Sequence, residues 1–149
     1  MAEMIFKKLV KDNGLEGRFE RIDSAATSTE EIGNDIYPPA KRCLHAHNIP
    51  MERRGAWQMC KEDYERYDLI YVMDRNNLRM LNFRMPERVP ITYGEGPFDI
   101  NGKLWMLMSL VGDTRNVADP WYTGDFEKTY RDITLALTEL IRRISEGEI

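Results

Sequence analysis

Asp68-Leu69-Ile70-Tyr71-Val72-Met73-Asp74-Arg75-Asn76-Asn77-Leu78 is the stretch that decides the fold. Leu69 to Met73 is a nearly continuous apolar run, and a run of that length is typical of a strand buried on both faces by helices. Asp74 follows at once, a short carboxylate suited to accept hydrogen bonds from the first free N–H groups of a helix, so the pattern predicts a helix from Asp74 to about Phe83. The order is strand, then helix.

The same order recurs on both sides. Toward the C-terminus, Pro86 to Gly102 has no clear period and reads as an irregular excursion. Lys103 to Met108 is the next apolar strand, and Gly112 to Tyr122 is a loop. Asp125 to Ile144 places Phe126, Tyr130, Ile133, Leu137, Leu140, Ile141 and Ile144 at helical spacing, which predicts a long amphipathic helix. Toward the N-terminus, Lys61 to Arg66 is a short helix, and Pro38-Pro39 opens a helix that ends at Asn48 with Leu44 facing inward. Thr27 to Asn34 is a polar loop and Phe19 to Ala25 a short strand. Met1 to Val10 forms a helix stopped by Asn13-Gly14. Alternating strands and helices predict an α/β fold, a parallel sheet flanked by helices on both faces. Ligands of such folds sit beyond the carboxyl ends of the strands, which directs attention to Ala26–Asn34, Met73-Asp74 and Gly112–Tyr122.

Composition sets the frame. At 149 residues and 17.5 kDa, 42% hydrophobic and 31% charged, the chain fits a single domain over 1–149 able to fold without disulfide or metal staples. The net charge is -4 and the basic residues are scattered, so nucleic acid is not an expected partner. Leu104 to Val111, the longest apolar stretch, is far short of the ~20 residues a spanning helix needs, and no signal peptide opens the chain. No membrane partner is expected, and the localisation read from these features is cytoplasmic. Two cysteines, Cys43 and Cys60, suit a reducing compartment.

Three patterns could carry chemistry. In Val117-Ala118-Asp119-Pro120-Trp121-Tyr122, proline holds Asp119 in extended geometry and two flat side chains follow it. This reads either as a general acid beside a pocket for a flat ring, or as a turn whose aromatics serve the core. Cys43-Leu44-His45-Ala46-His47 suggests a metal site, but only Cys43 and His47 share a helical face and no third ligand stands at suitable spacing. It reads as a helix with two surface histidines and a part-buried thiol. Cys60 to Arg66 matches Cys-x5-Arg, yet it has no glycine, is helix-forming, and sets Glu62, Asp63 and Glu65 beside the thiol, where they repel phosphate and raise the thiol pKa. That match is coincidental.

Ser24-Ala25-Ala26-Thr27-Ser28, Glu31-Ile32-Gly33-Asn34, Asp63 to Asp74 with Asn77-Leu78, and Asp119-Pro120-Trp121-Tyr122 ahead of Phe126-Glu127 and Thr129-Tyr130 together resemble the low-molecular-weight protein-tyrosine phosphatase family, in order, from Met1 to about Ile144. The resemblance implies Asp119 as general acid, Trp121 and Tyr122 with Glu30 and Glu31 on the substrate side, and Ser24 and Asp74 as supports of the phosphate loop. It implies no cofactor, no metal, and a phosphotyrosine-containing protein or a small aryl phosphate as partner. The departures matter equally. The family's Cys-x5-Arg-Ser loop and first strand precede the segment resembling Met1 to Val10 and are not in this chain, so the nucleophile is missing. Phe83 to Asn101 is longer than the family's connection, and Glu30 is charged where relatives carry an aromatic.

An interior strand lost from a four-stranded sheet would strand several backbone groups at about 1–3 kcal/mol each, against a stability of only ~5–15 kcal/mol. The reading therefore favours an N-terminally truncated sequence, begun at an internal methionine, of a protein-tyrosine phosphatase; this chain itself is expected to be inactive. The alternative is a catalytically dead binding module. An arsenate reductase of the same fold needs further shuttle cysteines, and thiols at positions 43 and 60 alone do not supply them.

Overall fold

The structure is a computed structural model that describes residues 1–149. Its elements in chain order are α1 (Ala2–Asp12), α2 (Pro38–Ala46), α3 (Lys61–Arg66), β1 (Ile70–Val72), α4 (Arg75–Leu81), β2 (Leu104–Met106), α5 (Pro120–Thr123) and α6 (Phe126–Ser145). Strands β1 and β2 pair in parallel with Ile70 opposite Leu104, Tyr71 opposite Trp105 and Val72 opposite Met106.

Helix α6 forms because its apolar residues recur with the helical period: Ile133, Ala136, Leu137, Leu140, Ile141 and Ile144 are all buried. Asp125 caps it, accepting the Lys128 N–H at 3.0 Å. Against this stripe lie Met4, Ile5, Phe6 and Val10 of α1, Leu44 of α2, and Leu107, Met108 and Leu110 just beyond β2, closing one apolar cluster. A second cluster, on α3, α4 and the other side of the sheet, joins Met59, Tyr64, Val72, Leu78, Leu81 and Leu104 with Met85, Val89, Ile91 and Phe98. The last three come from the irregular excursion, which has no helix or strand between Met85 and Lys103 but is pinned from within. Buried Asp99 accepts the Leu104 N–H at 2.9 Å and the Tyr64 hydroxyl, while Asn101 Nδ2 donates to that same hydroxyl oxygen at 3.0 Å.

Several expectations hold. Helix α3 has the bounds expected, α2 begins at Pro38, and Asp74 caps α4 by accepting the Asn77 N–H at 2.7 Å. Helix α2 ends at Ala46, and Asn48 then takes φ 57°, a left-handed conformation asparagine tolerates after a helix.

Three expectations need correction. Phe19–Ala25 is not a strand; the neighbouring chain makes only isolated bridges, Ala26 with Gln58 and Ile32 with Ala56. Side chains occupy the ladder positions there: Glu3 accepts the Ser24 N–H at 2.9 Å, and Arg54 Nη2 donates to the Ser24 carbonyl at 2.7 Å. The strand expected over Lys103–Met108 stops at Met106, where the chain curls into a 3-10 turn over Leu107–Val111 as Ser109 Oγ donates to the Met106 carbonyl at 2.6 Å. Finally, β1 is covered on both faces but incompletely, since Tyr71 and Ile70, which pack against the first and second clusters, are only half-buried. Ile70 N–H donates to the Lys103 carbonyl at 2.8 Å, so the alternation of a parallel ladder turns the Tyr71 N–H and C=O away from β2. On that side lies a cavity of about 880 Å³ whose walls include Phe6, Ile22, Ala25, Tyr71, Leu107 and Leu140.

Candidate active site

The loop that carries Asp119 is fastened at both ends. Val117 N–H donates to the Met73 carbonyl at 2.8 Å, and Arg75 N–H donates to Asn116 Oδ1 at 3.0 Å, so this loop lies against the carboxyl end of β1. Arg115 ties it to α6 through two near-parallel bonds to Asp132, 2.7 and 2.9 Å, and its Nε donates to Asp113 at 2.8 Å. The guanidinium holds both carboxyl groups below the usual carboxylate range; for Asp132 the Arg115 hydrogen bonds dominate, and for Asp113 the Arg115 backbone N–H and then its side chain. Thr129 Oγ1 donates to the Ala118 carbonyl at 2.9 Å, one residue before Asp119.

Asp119 is itself a helix cap. Pro120 starts the short α5, with its fixed φ suited to a first helical position, and Asp119 Oδ1 accepts the Trp121 N–H at 2.9 Å. One carboxylate oxygen is thus engaged and the group is exposed. Trp121 is 58% exposed and its ring lies 4.6 Å from that of Tyr37, which in turn lies 6.1 Å from Phe126; Tyr122 is 85% exposed. The aromatics therefore do not fill the core. A carboxyl group beside an aromatic wall is what this arrangement offers.

Other expected site residues are placed differently. Asp74 sits next to the Arg75–Asn116 contact, hence beside the acid loop, with its carboxylate capping α4. Ser24 lines the cavity, as do Met73 and Asn77, and its N–H and hydroxyl both donate to Glu3 Oε1 at 2.9 Å. Glu30 and Glu31 are exposed in a turn, where Glu31 accepts from Asn34 Nδ2 at 2.6 Å. Neither Asp119 nor Asp74, Trp121, Tyr122, Glu30 or Glu31 lines the cavity that Ser24 lines. The Ser24 hydroxyl is turned onto α1, where it donates to Glu3.

The two thiols stand as follows. Cys60 is exposed at the start of α3, with its N–H donating to Asp63 Oδ2 at 2.8 Å and its Sγ 3.1 Å from the same oxygen. Hydrogen bonding to Asp63 and Glu62 pushes the thiol up, the reverse of what a nucleophile needs. Cys43 is buried, and burial and then Glu127 push its thiol up to about 11. No third group stands beside Cys43 and His47 along the chain, but one reaches them from another element: Glu127, at the start of α6, brings a carboxylate oxygen to 2.7 Å from His47 Nε2 and another to 3.5 Å from Cys43 Sγ. His45 remains exposed and outside this group.

Sequence reasoning missed Tyr37, Arg115, Glu3 and Arg54. Tyr37 carries a weak local signal, standing before Pro38-Pro39; Arg115 and Glu3 act through partners 17 and 21 residues away and leave none.

The family model described as low molecular weight phosphotyrosine protein phosphatase matches residues 1–148. The protein of that name from Gallus gallus is 46% identical over 133 residues, covering 87% of this chain and 77% of that protein, and the one from Homo sapiens is 35% identical, covering 88% and 78%. The crystal structure of YfkJ from Bacillus subtilis superposes with a TM-score of 0.83 at 27% identity, covering 99% of this chain and 87% of that one.

Proposed function

Because the chain belongs to the low molecular weight phosphotyrosine protein phosphatase family, we propose that the complete form of this protein hydrolyses phosphotyrosine on proteins, or small aryl phosphates, with Asp119 as general acid. In that reaction a thiolate attacks phosphorus in line and expels the aryl oxygen, leaving a cysteinyl-phosphate that water then cleaves. Asp119 protonates the departing phenolate and afterwards takes a proton from the attacking water. The observation that carries this reading is the placement of Asp119. Its loop is bonded to Met73 and Arg75 at the carboxyl end of β1, one carboxylate oxygen is left without a protein partner, and Trp121 stands next to it. Trp121 and Tyr122 would border the substrate ring, with Glu30 and Glu31 also on the substrate side. Ser24 and Asp74 act as supports.

The 149 residues supply the acid and no competent nucleophile, since both thiols are pushed up and Cys43 is buried. We therefore expect no turnover from this chain alone, and a cytoplasmic location for the complete protein; no helix is long and apolar enough to cross a membrane. The exposure of Trp121 and Tyr122 also supports the second reading, a phosphatase-like binding module.

The test adds a strand and a Cys-x5-Arg-Ser loop ahead of Met1 and asks whether activity then depends on Asp119. Asp119→Ala should lower turnover about 10²-fold or more on phosphotyrosine, the scale for losing a general acid. The loss should be clearly smaller on p-nitrophenyl phosphate, whose phenol is a stronger acid than one with a pKa of about 10. Equal losses on both substrates would remove Asp119 from the acid role, and a restored protein with no activity would favour the binding module.

A further inference from the structure

We propose that Cys43, His47 and Glu127 form a site for a zinc-class divalent metal ion that ties α2 to the start of α6. Cys43 and His47 stand four residues apart on α2 and so project from one face of it, one turn apart. Glu127 reaches them from α6, and one ligand atom from each of the three lies within 4.8 Å of the other two. A four-coordinate zinc ion, with bonds of about 2.0–2.3 Å, needs ligand atoms roughly 3.3–3.8 Å apart, so the three groups need shift by only about an ångström to close on a metal.

The donor set chooses the ion. One thiolate, one imidazole and one carboxylate are borderline-soft and mixed, a set that suits zinc or cobalt and disfavours magnesium or calcium, which require oxygen throughout. Two further features prepare the site. The His47 ring is stacked on Tyr130 at 3.7 Å and 13°, which fixes the imidazole plane while Nε2 faces Glu127. Cys43 and His47 also lie in the last turn and at the C-cap of α2, where the helix dipole favours a cation. Cys43 is buried while His47 is half-buried and Glu127 exposed, so the fourth position opens to solvent and takes water.

On binding, the metal replaces the thiol proton of Cys43, which leaves to solvent; the His47 ring carries its remaining proton on Nδ1, the Nε2 proton being given up to solvent, so that Nε2 and a Glu127 oxygen each offer a lone pair to the metal and their mutual hydrogen bond is broken. Cys43 Sγ is 3.6 Å from the Phe126 carbonyl, and Phe126 borders Tyr37, the ring on which Trp121 rests. The ion would thus brace the base of the aromatic loop without lying in it.

Cobalt(II) reports the ligands directly. Titrated into the metal-free 149-residue chain, it should bind one equivalent with a near-ultraviolet sulfur-to-cobalt charge-transfer band and tetrahedral visible absorption, and zinc(II) should displace it. Cys43→Ser should abolish the charge-transfer band, and His47→Gln and Glu127→Gln should each weaken binding by more than about tenfold, since losing even an outer-shell partner of a metal costs that much. Cys60→Ser and His45→Gln should leave both band and affinity unchanged. The His47 and Glu127 variants keep the test decisive if Cys43→Ser does not fold, because neither residue belongs to the core. No charge-transfer band at millimolar cobalt, a band abolished by Cys60→Ser instead, or affinity unmoved by His47→Gln and Glu127→Gln would overturn the proposal.

Discussion

Asp132→Asn removes the charge that holds the acid loop to α6 while keeping the side chain's shape. Arg115 reaches Asp132 with two bonds of 2.7 and 2.9 Å, and the asparagine amide can accept at most one of them well. Breaking a fully buried pair from one side costs about 3–5 kcal/mol, while an exposed pair is worth under about 1 kcal/mol. Here the Asp132 side chain is 11% exposed and that of Arg115 is 41%, so solvent screens one partner and the expected cost is about 1–2 kcal/mol. For a domain of this size each kcal/mol moves the melting temperature by about 2–4 °C, which gives a fall of roughly 2–8 °C at neutral pH.

The pH dependence is the sharper readout. Arg115 lowers the Asp132 pKa in the folded state, so the stabilisation is fully present above the unfolded value of about 3.9 and is lost as pH falls through the lower folded value. Thermal unfolding followed by far-ultraviolet circular dichroism should therefore show wild type and Asp132→Asn well separated at pH 7 and converging below pH ~3.9. Equal melting temperatures at pH 7, or a gap that does not shrink in acid, would refute the reasoning.

Other outcomes follow from the same contacts. Tyr64→Phe leaves buried Asp99 without the hydroxyl it accepts from, and should cost about 1–3 kcal/mol in urea unfolding. Asp74→Ala removes the cap on the Asn77 N–H and should cost about 1 kcal/mol in the same assay, with the larger share of lost amide protection in α4. The 149-residue chain should hydrolyse p-nitrophenyl phosphate at the background rate, and Cys60→Ser should leave that rate unchanged; turnover abolished by that substitution would mean that the acidic surroundings of Cys60 have been misjudged.

The parts of the fold that could be read from the sequence are those governed by local rules. Helices α2, α4 and α6 are announced by proline, by N-capping aspartates and by the helical period, and each forms where those signals stand. The failures lie where a distant group overrides the local pattern. Phe19–Ala25 has the composition of a strand, but Glu3 and Arg54 take the hydrogen bonds at Ser24 that a ladder would have used. The same substitution explains the site. Asp119 and Trp121 were legible because proline fixes them in one short motif, whereas Arg115 depends on Asp132 in another element and Tyr37 on Trp121, 84 residues on. The carboxylate at Glu127 was likewise invisible beside Cys43 and His47, since a spacing rule searches along the chain and this group is assembled across it.

The two apolar clusters have different histories during synthesis. The smaller draws on residues 59 to 106, a contiguous segment that can collapse as soon as it leaves the ribosome. The larger joins Met4, Ile5, Phe6 and Val10 to Ile133 through Ile144, so the first helix made must wait for the last. At ~5–20 residues per second, that wait is roughly 6–25 s, far longer than helix formation or hydrophobic collapse takes. Until then the face of α1 that α6 covers stays open, which makes this helix the segment through which nascent copies would first stick to one another.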